Sequence, residues 1–236
     1  MACLAYYPND NKNEKEELYE VHATDVVNYM RDNWFFEKLV NVISRRANLD
    51  KDEVHDLILL SGFLHDLGKI DTRYQEKPTG HYTDHELISA RIILLATRIS
   101  WDDMEPTNIT KSEKNKMIGV MLIRPVLLHH YAKRDYSEVF RNINKNIKFQ
   151  PYEECLDVIT RMDVSFLRSE LGREIVDKIN NLLIKKKEII VTVDKRMLPI
   201  DMKYSFYRFI SASVLSLLNE ADGRVAIKNR NSKPRR

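Results

Sequence analysis

Three helix-start motifs, each leading into a long apolar stretch, constrain the fold of this chain most strongly. In such a capping box, a side-chain oxygen and a glutamate three residues later satisfy free backbone N–H groups. The boxes are DKDE at 50–53, TDHE at 83–86 and TKSE at 110–113. The stretches that they open contain LILLSGFLHDLG, LISARIILLATRI and MIGVMLIRPVLLHHY, with apolar residues at helical spacing. The pattern predicts three long helices.

The rest of the chain extends this pattern to an all-α fold, a bundle of helices. Further helices are predicted at about 15–31, 34–47, 165–188 and 203–224. The chain has only 6 glycines and 7 prolines in 236 residues, which argues against a turn-rich all-β fold. The stretch EIIVTVDKR at 188–196 predicts either a minor β element or an extended connection.

The length fits one domain, predicted over residues 1–225 and followed by a basic tail at 226–236. Residues 132–200 are more polar and irregular than their flanks, so we expect an insertion or a lid there. A net charge of +3 permits a nucleic-acid partner without requiring one. Cys3 and Cys155 make no disulfide framework and no zinc motif. The chain shows no signal peptide and no bilayer-spanning stretch, and we expect a cytoplasmic protein.

The segment GFLHDLGK places His65 and Asp66 at the end of a run that is apolar on all sides. Burying both groups costs several kcal/mol unless they are paired or bind a metal. We expect Gly62 to admit a neighbouring helix and Gly68 to end the helix in a left-handed conformation. The alternative is a buried histidine–aspartate hydrogen bond. An upstream pair, His55–Asp56, follows an acidic first turn, and we expect it to face solvent.

Other histidines also fall on predicted core faces or at helix ends. His22 lies on a core-facing stripe, although it could simply pair with Asp25. His85 lies in the first turn of its helix and is favoured over His81, which lies in the preceding loop. The tandem pair His129–His130 closes a helix that Pro125 should kink.

Asp222 is the most informative distant carboxylate. It shares a helix face with Leu218, Leu215 and Ser211, whereas Glu220 points about 200° away. A carboxylate on a buried stripe needs a partner, and an arginine would serve. Taken together, however, the core-facing histidines and aspartates have too many acceptors and too few cations. A divalent metal resolves that imbalance, and the mixed nitrogen and oxygen ligands suit Mn, Fe, Ni, Co, Zn or Mg.

The order of His22, then His65–Asp66 in GFLHDLGK, then a distant Asp222 resembles the HD phosphohydrolase superfamily. The histidine in DHELISAR, the tandem HH and the closing EADGRVA are similar to one branch. That branch is the CRISPR-associated HD nucleases of type I interference systems, and this chain most resembles their stand-alone nuclease subunit. The resemblance spans roughly residues 15–225 and implies an HD-domain bundle with a metal site between helices.

The resemblance implies a site with two divalent ions, with Mg, Mn, Ni, Co and Fe all admissible. His22, His65, Asp66 and Asp222 would hold the first ion. His85, His129 and His130 would hold the second ion, with Asp66 as the bridge. Two such ions stabilise the attacking and leaving oxygens of a phosphodiester displacement.

Asp66 and Lys69 are the predicted catalytic residues. Lys69 could reach the scissile phosphate, or it could be an exposed lysine at a helix end. The implied substrate is single-stranded DNA, with RNA as a further option, and the implied partners are a separate helicase subunit and a CRISPR surveillance complex. The candidates for contact with the strand are all cationic, although each could equally be solvated surface: Lys185, Lys186, Lys187, Lys195, Arg196 and the tail.

Two other functions remain open from the sequence. One is an HD phosphohydrolase that acts on nucleotides, since it would use the same metal ligands. The other is a catalytically inert subunit that uses its metal for folding or for docking to a partner.

Overall fold

The computed structural model describes residues 2–8, 14–77, 82, 84–104, 112–130, 146–192 and 205–231. The helices of this part are α1 Tyr19–Asp32, α2 Phe36–Ala47, α3 Lys51–Leu64, α4 Thr72–Glu76, α5 His85–Thr97, α6 Glu113–Ile118, α7 Arg124–Leu128, α8 Glu153–Arg161, α9 Glu170–Lys185 and α10 Ser205–Arg230. The strands are β1 Leu4–Tyr6, β2 Glu17–Leu18, β3 Asn146–Phe149 and β4 Ile189–Thr192. The prediction of an all-α bundle with a minor β element is confirmed.

Helix α3 lies at the centre of the bundle. The Asp50 side chain caps it by accepting from the N–H groups of Asp52 and Glu53, as the capping box predicts. Every residue from position 54 to position 64 is buried, which matches a run that is apolar on all sides. A Cβ at Gly62 would lie 2.5 Å from Met30 Sδ of α1, so this glycine permits the close approach of α1.

The polypeptide after α3 turns without a left-handed residue. Asp66 precedes a short 3-10 helix, Leu67–Ile70, and no described glycine has a positive φ. The expectation that Gly68 ends α3 in a left-handed conformation is therefore wrong. Gly68 is instead required by space, because a Cβ there would lie 2.2 Å from the carbonyl oxygen of His85. The turn after Asp66 thus rests directly on the first residue of α5.

Helices α6 and α7 are joined by a π-helical segment, Gly119–Ile123, two residues ahead of Pro125. A proline inside a helix leaves one backbone carbonyl without its usual N–H partner, and a π turn is one way to absorb that defect. The disturbance predicted at Pro125 takes this form. Helix α7 then ends at Leu128, and His129 is its C-cap residue.

The described part of the predicted lid packs into the bundle. Strand β3 pairs antiparallel with β4, with Asn146 opposite Thr192 and Phe149 opposite Ile189, so the predicted β element is confirmed over 189–192. Buried residues of α8 and α9, including Ile159 and Ile175, belong to the common hydrophobic core. Residues 146–192 thus contribute to the common core, and the insertion or lid over 132–200 stays a prediction.

The two ends of the described chain are tied to the body. Strands β1 and β2 pair antiparallel, and Cys3 forms a disulfide with Cys155 of α8. No disulfide framework was expected from the sequence, and this bond was missed, because the two cysteines lie 152 positions apart and only the fold brings them together.

Residues 226–230, which we expected in a solvated tail, form the last turns of α10. The Arg230 side chain donates to Glu17 over 2.7 Å, which anchors this end of the helix. Residues 232–236 lie outside the described part. No helix among the described residues combines the length and apolarity required to cross a membrane.

Candidate metal centre

Five helices converge on one buried cluster of histidines and aspartates. His22 lies in the first turn of α1, and the pair His65–Asp66 directly follows α3. His85 is the first residue of α5, while the tandem histidines follow α7. Asp222 lies in α10 with 13% of its side chain exposed. The structure brings together all the residues predicted as metal ligands: His22, His65, Asp66, His85, His129, His130 and Asp222.

The donors form two groups. The first contains His22, His65 and Asp222, whose ligand atoms lie within 4.8 Å of one another. His22 Nε2 lies 3.3 Å from His65 Nε2 and 3.3 Å from Asp222 Oδ1. The second group contains Asp66, His85, His129 and His130, again with ligand atoms within 4.8 Å. His130 is the most exposed of its histidines, being only half-buried.

The Asp66 carboxylate belongs to the second group and also faces the first. Its Oδ2 atom lies 3.5 Å from both His22 Nε2 and His65 Nε2 in the first group. Its Oδ1 atom lies 3.1 Å from His85 Nε2 and 3.7 Å from His129 Nε2 in the second. The residue has φ −98° and ψ 10°, in the sparsely populated bridge region where many active-site residues are found. One carboxylate thus presents one oxygen to each group.

Backbone carbonyls fix the orientation of three of the rings. His65 Nδ1 lies 2.7 Å from Gly62 O, His85 Nδ1 lies 2.7 Å from Tyr82 O, and His129 Nδ1 lies 2.6 Å from Val126 O. A carbonyl only accepts hydrogen bonds, so each Nδ1 must donate. In the neutral ring, Nε2 then carries the lone pair and points into the cluster, as in histidine-ligated metal sites.

These orientations leave acceptors facing acceptors. Asp66 Oδ1, His85 Nε2 and His129 Nε2 are buried, and no hydrogen-bond partner for them is found among the described residues. A lone pair of each nitrogen faces a carboxylate oxygen across 3.1 to 3.7 Å. A cation between them removes the conflict, and the nitrogen and oxygen donors suit a first-row transition metal. The residues present therefore fit the divalent metal that the sequence predicts.

The electrostatics of the cluster also favour a cation. Burial alone would raise the pKa of Asp66, but His65 and Lys69 hold it well below its usual value. Burial would likewise raise the pKa of Asp222, and its hydrogen bonds with His22 and His65 hold that pKa low. Both carboxylates are therefore ionised at neutral pH and available as ligands.

The histidines respond to the same charges in different directions. Burial lowers the pKa of His65, and it lowers that of His130 strongly, with His129 and His85 adding to the effect. For His22, burial is outweighed by hydrogen bonds with Asp222 and Glu17, which raise its pKa to about 9. A metal ion that binds His22 near neutral pH must therefore displace a proton.

Lys69 is not the exposed lysine that one of the two readings expected. Its Nζ donates to Asp66 Oδ2 over 2.7 Å, and only 12% of its side chain is exposed. The ammonium thus lies beside the carboxylate that joins the two groups.

The expectation that His55 and Asp56 face solvent is wrong. Both are at most 1% exposed, and His55 Nδ1 bonds to Asp56 Oδ1 over 2.9 Å. Asp56 also accepts from the N–H groups of Arg168 and Ser169 and from Ser169 Oγ, just before α9 begins. The acidic first turn of α3 misled the prediction: that turn stays at the surface, but the start of α9 covers Asp56 in the next turn. The pair has a structural role outside the cluster.

Other predicted residues lie apart from the cluster or outside the described chain. Asp25, which was the alternative partner considered for His22, contacts Lys228 and Asn229 instead. Lys185, Lys186 and Lys187 are exposed at the end of α9. Lys195, Arg196, His81 and Thr83 lie outside the described residues. The nucleic-acid contacts of the lysines remain a prediction.

Two residues near the cluster were missed from the sequence. Glu17 accepts from His22 Nδ1, and Ser89 Oγ accepts from Gly68 N while donating to His85 O. Glu17 lies in the polar run NEKEELYE, where nothing distinguishes it from its neighbours. The period of α5 places Ser89 one turn after His85, which was the one available signal.

A helical bundle with two His/Asp groups joined at a His–Asp pair defines an HD-type domain. A family model described as Cas3, HD domain, matches residues 13–130, half of the chain. The chain therefore belongs to the Cas3 HD domain family of CRISPR-associated proteins. The matched region contains every donor of the cluster except Asp222, which α10 adds from outside it. A search of curated proteins found no significant match.

Proposed function

We propose that this protein is a metal-dependent nuclease that hydrolyses phosphodiester bonds of single-stranded DNA in CRISPR interference. One observation carries the proposal: Asp66 presents one carboxylate oxygen to each of two donor groups. Enzymes that displace phosphate esters with two ions use such a shared ligand to hold the ions as a pair. Membership of the Cas3 HD family supports the reaction class.

The residues of the cluster would then divide the work. His22, His65 and Asp222 would hold one ion, His85, His129 and His130 the other, and Asp66 both. When bound, the ions supply positive charge at the scissile phosphate and favour ionisation of the attacking water. The backbone-anchored rings of His65, His85 and His129 keep their nitrogens in place, so little reorganisation is needed. Lys69 would lie close enough to offset charge that develops on the phosphate.

A single strand suits the recessed position of the centre. His65 is fully buried and Asp66 is 1% exposed, so a substrate must reach into the bundle. A flexible single strand can place one phosphate there more readily than a rigid duplex can. We further propose that RNA is a weaker substrate, that a helicase subunit and a surveillance complex deliver the strand, and that the protein acts in the cytoplasm.

The test is a cleavage assay with end-labelled single-stranded DNA, single-stranded RNA and duplex DNA. Each is incubated with Mg²⁺, Mn²⁺, Co²⁺, Ni²⁺ or Fe²⁺. We expect metal-dependent cleavage of the single strand. Asp66→Ala should lower the cleavage rate by at least ~100-fold, because loss of a residue that only orients a metal ligand already costs about 10- to 100-fold. Asp177→Ala, an exposed aspartate of α9, is the matched control and should cleave normally.

The same assay separates the alternatives. Turnover of mononucleotides or cyclic nucleotides without cleavage of oligonucleotides would replace the proposal with a nucleotide phosphohydrolase. Metal binding that stabilises the fold with no turnover of any phosphoester would indicate an inert subunit. Full activity of Asp66→Ala would exclude this cluster as the active site.

A further inference from the structure

Glu17 is a buried carboxylate that touches the metal centre from outside. It lies in β2 and is 2% exposed. Its Oε1 accepts from His22 Nδ1 over 2.8 Å and from Asn229 Nδ2 over 3.1 Å. Its Oε2 accepts from Arg230 Nε over 2.7 Å. Both oxygens are therefore used, and three donors surround the group.

His22 differs in this respect from the other oriented histidines. The Nδ1 atoms of His65, His85 and His129 bond to neutral backbone carbonyls three residues earlier in the chain. His22 Nδ1 bonds to an anionic side chain on a different element. An ionised acceptor forms the stronger hydrogen bond and makes the opposite ring nitrogen a better metal donor. The first donor group thus contains one histidine whose donor strength depends on a carboxylate.

The carboxylate is itself held by the helix that supplies Asp222. Arg230 and Asn229 lie in the last turn of α10, eight and seven residues after Asp222, which corresponds to about 12 Å along the helix. The Arg230 guanidinium also lies over the Tyr6 ring of β1 at 4.2 Å from the ring centroid. The backbone carbonyl of Arg230 accepts from Lys15 N over 2.9 Å. One helix therefore supplies a ligand of the first group and the anchor for the residue that orients another ligand.

We propose that Glu17 is a positioning residue of the metal centre, which Arg230 fixes so that His22 directs Nε2 at the first donor group. The inference rests on the proposed metal-dependent function. A purely structural ion pair would need only Arg230 and would not require the hydrogen bond to His22 Nδ1. The observed arrangement places Oε1 on His22 and Oε2 on Arg230, so the ion pair and the histidine are coupled through a single carboxylate.

Glu17→Gln separates this role from simple packing. Glutamine keeps the shape but offers one oxygen and one amide donor, whereas all three neighbours of Glu17 are donors. If the oxygen stays on Arg230, the amide group faces His22 Nδ1, which must then accept. The proton moves to Nε2, the atom aimed at the metal. Glu220→Gln is the matched control, because Glu220 lies exposed on the same helix and accepts a hydrogen bond from the Tyr29 hydroxyl, far from His22 Nδ1.

The experiment is calorimetric titration of the metal-free full chain with Mn²⁺, with the paramagnetic resonance spectrum of bound Mn²⁺ as a second readout. His130→Ala identifies the binding event of the second donor group. We expect Glu17→Gln to weaken the other event by about 10- to 100-fold. The Mn²⁺ affinity of the second donor group should change less than threefold. When less than one Mn²⁺ per protein is added, the ion should therefore bind mainly to the second group. Glu220→Gln should titrate like the wild-type protein.

Each outcome decides the matter. The inference is overturned if Glu17→Gln binds Mn²⁺ at both donor groups with wild-type affinity. It is also overturned if both affinities fall equally and the metal-free variant has a lower melting temperature. If Glu17→Gln does not fold, Arg230→Gln decides, since it keeps Glu17 and should weaken only the first event. Unchanged binding in that variant overturns the inference. If the wild-type protein binds no Mn²⁺, the proposed function fails first.

Discussion

At the scale of single residues, Lys69 is the charged group beside the centre whose role can be separated from metal binding. Its ammonium lies 2.7 Å from Asp66 Oδ2 and is the least buried part of that ion pair. An ion bound at Asp66 would compete with Lys69 for the same oxygen. The lysine would then be released to a phosphate oxygen of the substrate, where it would lower the barrier by balancing developing charge.

Replacing Lys69 with methionine should therefore slow cleavage without weakening metal binding. We expect kcat to fall about 100-fold, as when one charge-stabilising donor is removed. Affinity for Mn²⁺ should stay the same or rise, because a competing cation is gone. Single-turnover cleavage and calorimetry measure the two effects. Lys178→Met, an exposed lysine of α9, is the control. An unchanged cleavage rate would mean that Lys69 only balances the charge of Asp66.

The residues of the cluster were accessible from the sequence because their positions follow helical geometry. A histidine on an apolar stripe, as at His22, or at the end of an apolar run, as at His65, has to be buried whatever packs around it. The same reasoning failed for His55 and Asp56, whose exposure depends on a helix more than 110 residues later. Glu17 was missed for a related reason, since its burial depends on the far end of α10.

At the scale of elements, the contact between the turn after Asp66 and the start of α5 assembles the second donor group. Gly68 lies against the backbone of His85, and its N–H donates to Ser89 Oγ over 2.8 Å. Both sides of this contact are backbone, so neither can move aside by a side-chain rotation to make room for an added atom. Any group at position 68 must push the turn and the helix apart.

Gly68→Ala should therefore destabilise the protein and weaken the second donor group selectively. A Cβ 2.2 Å from a carbonyl oxygen requires a backbone shift, and such overpacking costs about 1–3 kcal/mol. Denaturant unfolding gives the stability change, and Mn²⁺ titration gives the change in affinity. Gly223→Ala is the control, since a Cβ there meets nothing within 4 Å, and it should be neutral or stabilising. Normal metal binding in Gly68→Ala would contradict the proposed packing role.

Asp56 connects α3 to the start of α9, and its charge should support stability above acidic pH. Burial would raise the pKa of Asp56, but hydrogen bonds from His55, Ser169 and Arg168 N–H lower it overall. A carboxyl whose native pKa is depressed contributes stability that is complete above its unfolded pKa of about 4. The contribution is then lost as the pH falls through the lower native value.

Asp56→Asn should lower the free energy of unfolding by about 2–3 kcal/mol at pH 7, because buried donors lose an ionised acceptor. The difference from the wild-type protein should shrink below about pH 4. Urea unfolding at several pH values tests both statements. Asp50→Asn, the exposed cap of α3, should change stability by less than about 0.5 kcal/mol, since asparagine caps as well as aspartate. A difference that persists at pH 2 would contradict the assignment.

At the scale of the whole molecule, the Cys3–Cys155 disulfide joins the N-terminal strand to α8 across 152 positions. A cross-link that closes so long a loop restricts the unfolded chain strongly, and it stabilises the fold by about 5 kcal/mol in the chain-entropy model. Disulfides are uncommon in the cytoplasm of mesophiles. In a reducing compartment the two cysteines would be thiols, and the protein would lose the stabilisation that the disulfide gives.

Cys3→Ser should lower the melting temperature, and a reductant should lower that of the wild-type protein to a similar value. Thermal unfolding with and without reductant measures both effects, and thiol titration of the denatured, unreduced protein should find no free thiol. The reductant should not affect Cys3→Ser, which serves as its own control. Two free thiols in the wild-type protein, with no effect of reductant, would show that the pair is not oxidised.

The sequence by itself determined the class of fold and the histidines and aspartates that meet in the buried cluster. Local rules sufficed for this: caps and apolar periodicity specify helices, and helical phase specifies which side chains face inward. The tertiary structure alone decided which distant residues meet. It placed Glu17 on His22, Asp56 under the start of α9, and Cys3 beside Cys155. It also integrated residues 146–192 into the bundle, because burial depends on contacts between segments whose separation no local pattern records.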